Sequence, residues 1–242
     1  MIVLIPIATI GCGKTTTFQT LQSVFPHWAH VQNDNINKSS KLKLVDRSLL
    51  EFSQGKPVVM CDRNNHQFRE RSQLFKSFHD LDSNYLSKDH TPITFVCCNF
   101  STSVPSKEIL KEITYSRVLN RGDNHQSIKT SSGQAEMIMD GFLSRLQPFN
   151  GSKYPDNRFD LVIDMTVSNT HQSSLSNAKL IAKELNKHYP DIVGHVPSDQ
   201  EFQDAFDLAL NYTPSHTKSF SNKKPRNDGP HDKNLASVSP EK

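Results

Sequence analysis

Long apolar runs are missing from this chain of 242 residues, and their absence removes several classes of protein. No stretch approaches the roughly 18 to 20 apolar residues that a membrane-spanning helix needs. The opening residues Met1 to Ile7 have neither the charged front nor the small-residue cleavage site of a secretory signal. A soluble intracellular protein, cytoplasmic and/or nuclear, is expected. Cysteine is scarce: Cys12, Cys61, Cys97 and Cys98 fall in or beside apolar segments without CxxC spacing. That pattern indicates neither a zinc site nor a disulfide framework, and the four read as buried thiols of a reduced protein. Strong charge of one sign is also absent. The formal net charge is +3, and the segment 215–242 holds an equal basic excess, which leaves residues 1–214 about neutral. Any surface for a polyanion is then a local patch.

What the chain does have is concentrated at its start, where MIVLIPIATIGCGKTTT runs from an apolar strand into Gly11-Cys12-Gly13-Lys14-Thr15-Thr16. A strand turned by glycines into a helix start aims backbone N–H groups and a Lys at one point, which suits the β and γ phosphates of a nucleoside triphosphate. The stretch departs from the GxxxxGK[ST] pattern only in its first position, where Ala8 stands for Gly. Alanine tolerates most of a tight turn but not a positive φ as cheaply as glycine.

Alternating elements follow. Strands are expected at 2–7, Trp28 to Gln32, Val58 to Cys61, Thr91 to Cys98 and Phe159 to Met165. Helices are expected at Thr15 to Val24, Arg47 to Gln54, Gln67 to Leu81, Lys107 to Asn120, Gln134 to Leu146, Ser174 to His188 and Asp199 to Leu210. Such alternation predicts an α/β protein of the P-loop kinase type, a parallel sheet flanked by helices, with a lid after the fourth strand. One domain is expected over 1–214. The stretch 215–242, rich in Ser, Asn, Lys and Pro, is expected to be a disordered basic tail or interdomain linker. The abrupt start, with a strand from residue 2, fits either a domain cut from a longer polypeptide or a compact natural beginning.

Ligands in open parallel sheets sit outside the carboxyl ends of the strands, so the polar residues there are the candidate chemistry. Lys14 is the expected phosphate clamp, Thr15 the hydroxyl for Mg²⁺, and Thr16 a further phosphate contact. Asp62 closes VVMC and fits a carboxylate that holds the metal or its water shell, although the position also suits a turn or helix cap. Asp34 closes the second strand, where it is placed to accept the proton of an attacking hydroxyl, or merely to cap a helix. Arg117 and Arg121, one helical turn apart beside a Gly-containing loop, have the spacing of lid arginines that stabilise a transferring phosphoryl group, and equally that of a solvated helix face. Arg63, His66, Arg69 and Arg71, with Lys38, Lys41 and Lys43, flank the strand ends and could track a ribose-phosphate backbone; His66 also suits an ordinary hydrogen-bonding loop residue.

With ATIGCGKTT, QNDN, CDRNNH and the later FDLVID in view, residues 1 to 214 resemble the kinase domain of fungal tRNA ligases, multidomain RNA-repair enzymes. The resemblance implies a polynucleotide 5′-hydroxyl kinase that uses GTP and Mg²⁺ on a cleaved tRNA, with ligase and cyclic phosphodiesterase domains in the same parent polypeptide. It implies Gly11, Cys12, Gly13, Lys14, Thr15 and Thr16 as the nucleotide loop, Asp34 as general base, and Arg121, with Arg117, as lid arginines. Arg158 or Asp164 to Ser168 are the expected readers of the purine. The flanking ligase and phosphodiesterase domains are expected to be absent from this chain, and with them sealing and the opening of 2′,3′-cyclic phosphates; 215–242 falls where a connection to the phosphodiesterase is expected. Two other functions stay open: a P-loop kinase of a small metabolite, and a nucleotide-switched RNA-binding module.

Overall fold

A computed structural model describes residues 1–37, 39–125 and 128–213. Lys38, Gln126 and the expected tail 215–242 lie outside the described residues.

The order of elements is β1 (Ile2–Ile7), α1 (Lys14–Val24), β2 (Ala29–Gln32), α2 (Leu44–Ser53), β3 (Val58–Asp62), α3 (Phe68–Leu81), β4 (Thr94–Asn99), α4 (Lys107–Arg121), α5 (Ala135–Ser144), β5 (Leu161–Asp164), α6 (Gln172–His188), α7 (Pro190–Val193) and α8 (Asp199–Leu210). All paired strands are parallel, in the order β2-β3-β1-β4-β5. This is the expected α/β sheet. Buried on both faces, β1 has no polar alternation and all six of its residues are buried. Its side chains still divide by face: Ile2 and Leu4 join Phe18, Leu21, Ile181 and Phe202 under α1, α6 and α8, while Val3 and Ile5 join Leu49, Leu74 and Phe78 under α2 and α3.

The loop after β1 leads to one face and the loop after β3 to the other, which opens a crevice at the carboxyl ends of these neighbouring strands. A third apolar cluster, Ile10, Val118, Ile128, Ala135 and Met139, seats the end of α4 and the start of α5 against the loop after β1.

Differences from expectation are local. Helix α2 starts at Leu44, not Arg47, because Asp46 accepts a hydrogen bond from the Lys43 backbone N–H at 3.0 Å, a cap closed by an unusual first residue. Strand β4 starts at Thr94, not Thr91, where its pairing with Ile2 of β1 begins. The short α7, opened by Pro190 at its first turn, was not anticipated. All four cysteines are buried and free, as expected. Among the described residues no helix is long and apolar enough to cross a membrane.

Candidate active site

The glycine loop between β1 and α1 takes its shape from two positive backbone angles, Gly11 at φ 84° and Gly13 at φ 91°. Ala8 has no such angle: among the described residues Asn65 is the one non-glycine in the left-handed region. The departure at the first position of the motif therefore carries no conformational cost. Instead the Ala8 N–H donates to the Asn64 carbonyl at 2.9 Å, tying the loop to the corner after β3. A Cβ on Gly11 would meet the Thr114 carbonyl at 2.7 Å, and one on Gly13 would collide with Ser174.

Helix α1 opens at Lys14, so its first N–H groups face the crevice where the positive end of its dipole favours an anion. The Lys14 ammonium arches back to the Thr9 carbonyl at 3.1 Å. Beside it the Thr15 hydroxyl donates to Asp62 Oδ2 at 2.7 Å, and the buried His30 Nε2 lies 3.1 Å from the same oxygen. A carboxylate only accepts, so Nε2 carries the proton. Burial pushes the Asp62 carboxyl up, but the His30 ring, the Lys14 charge and the Thr15 hydroxyl together hold it below its ordinary value. An ionised carboxylate beside a hydroxyl at a helix start is a hard oxygen pair that fits Mg²⁺. No group of three His, Cys, Asp or Glu side chains among the described residues is placed to hold a metal alone.

Asp34 sits in a 3₁₀ turn (Asn33–Asn35) directly after β2 and lines the same cleft of about 910 Å³ as Gly11, Gly13, Lys14, Thr15, Thr16 and Asp62. Its Oδ2 lies 3.9 Å from His125 Nε2. Arg121, the last residue of α4, also lines the cleft, and its Nε and Nη2 are buried without a hydrogen-bond partner among the described residues. Burial pulls its pKa down to about 10, opposed by the charge of Asp34. Buried N–H groups of a cation that lack a hydrogen-bond acceptor among the described residues are costly, and an anion delivered to the cleft would relieve them.

Arg117 is placed differently from the expected mobile lid residue. It is 3% exposed, and its Nη1 donates to the carbonyls of Gly11 (3.4 Å) and Cys12 (3.2 Å) while its Nη2 donates to Thr170 O and Ser173 Oγ. Its guanidinium thus braces the glycine loop from beneath, spanning from α4 to the start of α6. The Cys12 side chain is buried away from the cleft, and burial pushes its thiol pKa up.

The basic residues expected to track a polynucleotide separate. Arg71 is a correction: it is fully buried in a two-pronged pair with Asp156, at 2.6 and 3.0 Å, and cannot meet a ligand. Arg63 lies 3.4 Å from Glu70, which is also 2.9 Å from His66 Nδ1, and all three line the cleft. Arg69, Lys41 and Lys43 are exposed, with Lys43 Nζ donating to the Ser40 carbonyl. Arg158 is a second correction. It ends a 3₁₀ turn before β5, at the amino end of the strand, with its guanidinium over Phe75, whereas the cleft lies at the carboxyl ends. Asp164 is at the correct end and accepts from Asn99 Nδ2 at 2.7 Å.

His30, Glu70, His125, His171 and Ser174 belong to this neighbourhood and were not singled out in the sequence. His30 had a legible signal, an odd polar residue within a buried strand. Burial, and then the charges of Arg117 and Arg121, lower the His171 pKa.

The sheet order, the glycine loop and the Thr15–Asp62 contact define a P-loop kinase fold. The model of the tRNA ligase kinase domain matches residues 3–168, and that of the fungal tRNA ligase phosphodiesterase domain matches 173–242. The chain belongs to the family of tRNA ligase kinase domains. It is 43% identical over 225 residues to a tRNA ligase of Candida albicans, and 35% identical over 227 residues to tRNA ligase 1 of Schizosaccharomyces pombe. Each alignment covers 90% of this chain but 27% of the relative, so the chain spans about a quarter of the length of these proteins. A crystal structure of a fungal RNA kinase superposes with a TM-score of 0.83 at 42% identity, covering 88% of this chain and 98% of that one. The change from one family model to the next falls just before Ser173 and Ser174, yet both residues touch the Arg117 and Gly13 region of the nucleotide loop.

Proposed function

We propose that this chain is a polynucleotide 5′-hydroxyl kinase that transfers the γ-phosphoryl of GTP, with Mg²⁺, to the 5′-OH end of a cleaved tRNA during splicing. The observation that carries the reading is Asp34 in the cleft of Lys14 and Thr15 together with Arg121, whose Nε and Nη2 are buried without a hydrogen-bond partner among the described residues. A carboxylate and a guanidinium at the end of a phosphate loop are the parts an in-line transfer requires.

In this reading the α1 N-terminus and Lys14 hold the β and γ phosphates, and Arg121 meets the equatorial charge that spreads over the transferring group. Asp34 orients the acceptor hydroxyl and takes its proton as the bond to phosphorus forms. Thr15 and Asp62 would hold Mg²⁺, which when bound would supply positive charge against the phosphate oxygens. Arg117 keeps the loop in shape. The family resemblance and the relatives named tRNA ligase support the RNA acceptor and the splicing role; the preference for GTP rests on the resemblance. The kinase domain is taken to extend through α8, which packs with α6 on α1, and 215–242 to continue towards the phosphodiesterase part of a longer polypeptide that also carries a ligase.

Incubation with γ-labelled GTP or ATP and a 5′-OH RNA tests this directly: label should appear on the RNA, and from GTP. Equal labelling of a free nucleoside would favour a metabolite kinase, and hydrolysis without transfer a nucleotide switch.

A further inference from the structure

The end of the cleft beside Asp34 is bounded by the last turn of α8 and the residues after it, where Ala209, Leu210 and Tyr212 line the wall. The Tyr212 hydroxyl donates to Gln32 Oε1 at 3.3 Å, two residues before Asp34, and the Tyr212 carbonyl accepts from Asn124 Nδ2 at 3.0 Å. Tyr212 is thus pinned between the strand end that carries the carboxylate and the loop after α4. Leu210 is 44% exposed, and the Tyr212 ring, partly exposed, meets no other aromatic ring among the described residues.

Next to Asp34, Lys14 and Arg121 such an apolar ledge has no use for phosphate or sugar. A nucleobase has one, because every base presents a flat face that gains from aromatic contact without regard to sequence. A triphosphate whose γ group points at Asp34 carries its own base away from this end, which leaves the ledge to the acceptor. Resting on the kinase reading above, we infer that Tyr212 is the stacking platform for the base of the acceptor's 5′-terminal nucleotide, and so favours a polynucleotide end over a bare alcohol.

The test uses the full chain, γ-labelled GTP, a 5′-OH oligoribonucleotide and the same oligonucleotide with an abasic 5′-terminal residue. Labelling of the normal RNA by wild type checks the kinase reading by itself; if none appears, that reading and this inference fall together. Given labelling, Tyr212→Ala should raise KM for normal RNA by about 5- to 150-fold, the range expected for one lost base stack. Both kcat and KM for GTP should change by less than about twofold, the mark of lost acceptor binding alone. The abasic RNA should cost wild type a similar factor and Tyr212→Ala little more, while Tyr212→Phe, which keeps the ring and loses the bond to Gln32, restores most of the affinity. An unchanged RNA KM in Tyr212→Ala, an abasic penalty equal in both proteins, or an effect on GTP instead of RNA overturns the inference.

Discussion

Replacing Arg71 by methionine would leave Asp156 as a buried carboxylate without its cation. Both side chains have no solvent exposure, and Arg71 supplies Asp156 with two hydrogen bonds, at 2.6 and 3.0 Å. The guanidinium also donates to the carbonyls of Asn65 and Gln147, at 2.9 and 3.3 Å. After the exchange Asp156 keeps the Asn150 backbone N–H at 2.9 Å, too little to hold a charge in the interior. Breaking a buried pair from one side costs about 3–5 kcal/mol. For a chain of this size each kcal/mol moves the midpoint by about 2–4 °C, so Arg71→Met should lower Tm by about 6–20 °C. Calorimetry or circular dichroism reads this. Arg71→Met combined with Asp156→Leu should recover much of the loss, because the stranded charge is then gone. A drop below about 3 °C, or a double variant no more stable than the single, would refute the argument. Activity should fall as well, since Arg71 anchors the corner whose Asn64 carbonyl holds Ala8 of the nucleotide loop.

Four further outcomes are expected. Asp34→Ala should bind GTP nearly as wild type while losing transfer to RNA by at least about 100-fold, and substantial residual transfer would remove Asp34 as the base. Gly13→Ala, at φ 91° and against Ser174, should weaken nucleotide binding by more than about tenfold, measured by titration calorimetry, whereas Ala8→Gly should cost stability by no more than about 1 kcal/mol. Chelation should abolish transfer without moving Tm of the nucleotide-free protein, because no side-chain cluster holds a metal alone among the described residues; a lower Tm on chelation would contradict this. Glu70 is pushed up by burial, but His66 and Arg63 outweigh it and hold its pKa below the ordinary value. Its contribution is therefore present above about pH 4.3 and lost as pH falls through the lower folded value. Glu70→Gln should be the less stable protein at pH 6, with the gap in Tm closing below about pH 4; a constant gap would be inconsistent with the depressed value.

Much of the fold was legible because its signals are local. Strands buried on both faces read as unbroken apolar runs, and glycine, lysine and threonine in the nucleotide loop carry their spacing in the sequence itself. The arginines were not separable in the same way. Arg71 and Arg69 look alike on a helix, and only the distant Asp156, brought close by folding, makes one of them internal. Arg117 and Arg121 share a helical face by spacing, yet one meets the backbone carbonyls of the glycine loop and the other meets none among the described residues. Arg158 has a neighbouring strand end in sequence, but at the end of the sheet that faces away from the cleft. His30 stands out in the sequence only as a polar residue within a buried strand; its partner Asp62 follows from the register, with His30 opposite Met60 and Gln32 opposite Asp62.

The brace beneath the nucleotide loop has a consequence for how such polypeptides can be taken apart. One of its far anchors, Ser173, and the neighbouring Ser174, whose hydroxyl donates to the Gly13 carbonyl, come from the stretch that matches the phosphodiesterase domain. A recombination or an expression cut at that seam would separate Arg117 and Gly13 from two hydroxyls they lean on. Modules defined by sequence similarity here are thus not the units that can be exchanged, and a working swap would have to carry α6 along with the kinase.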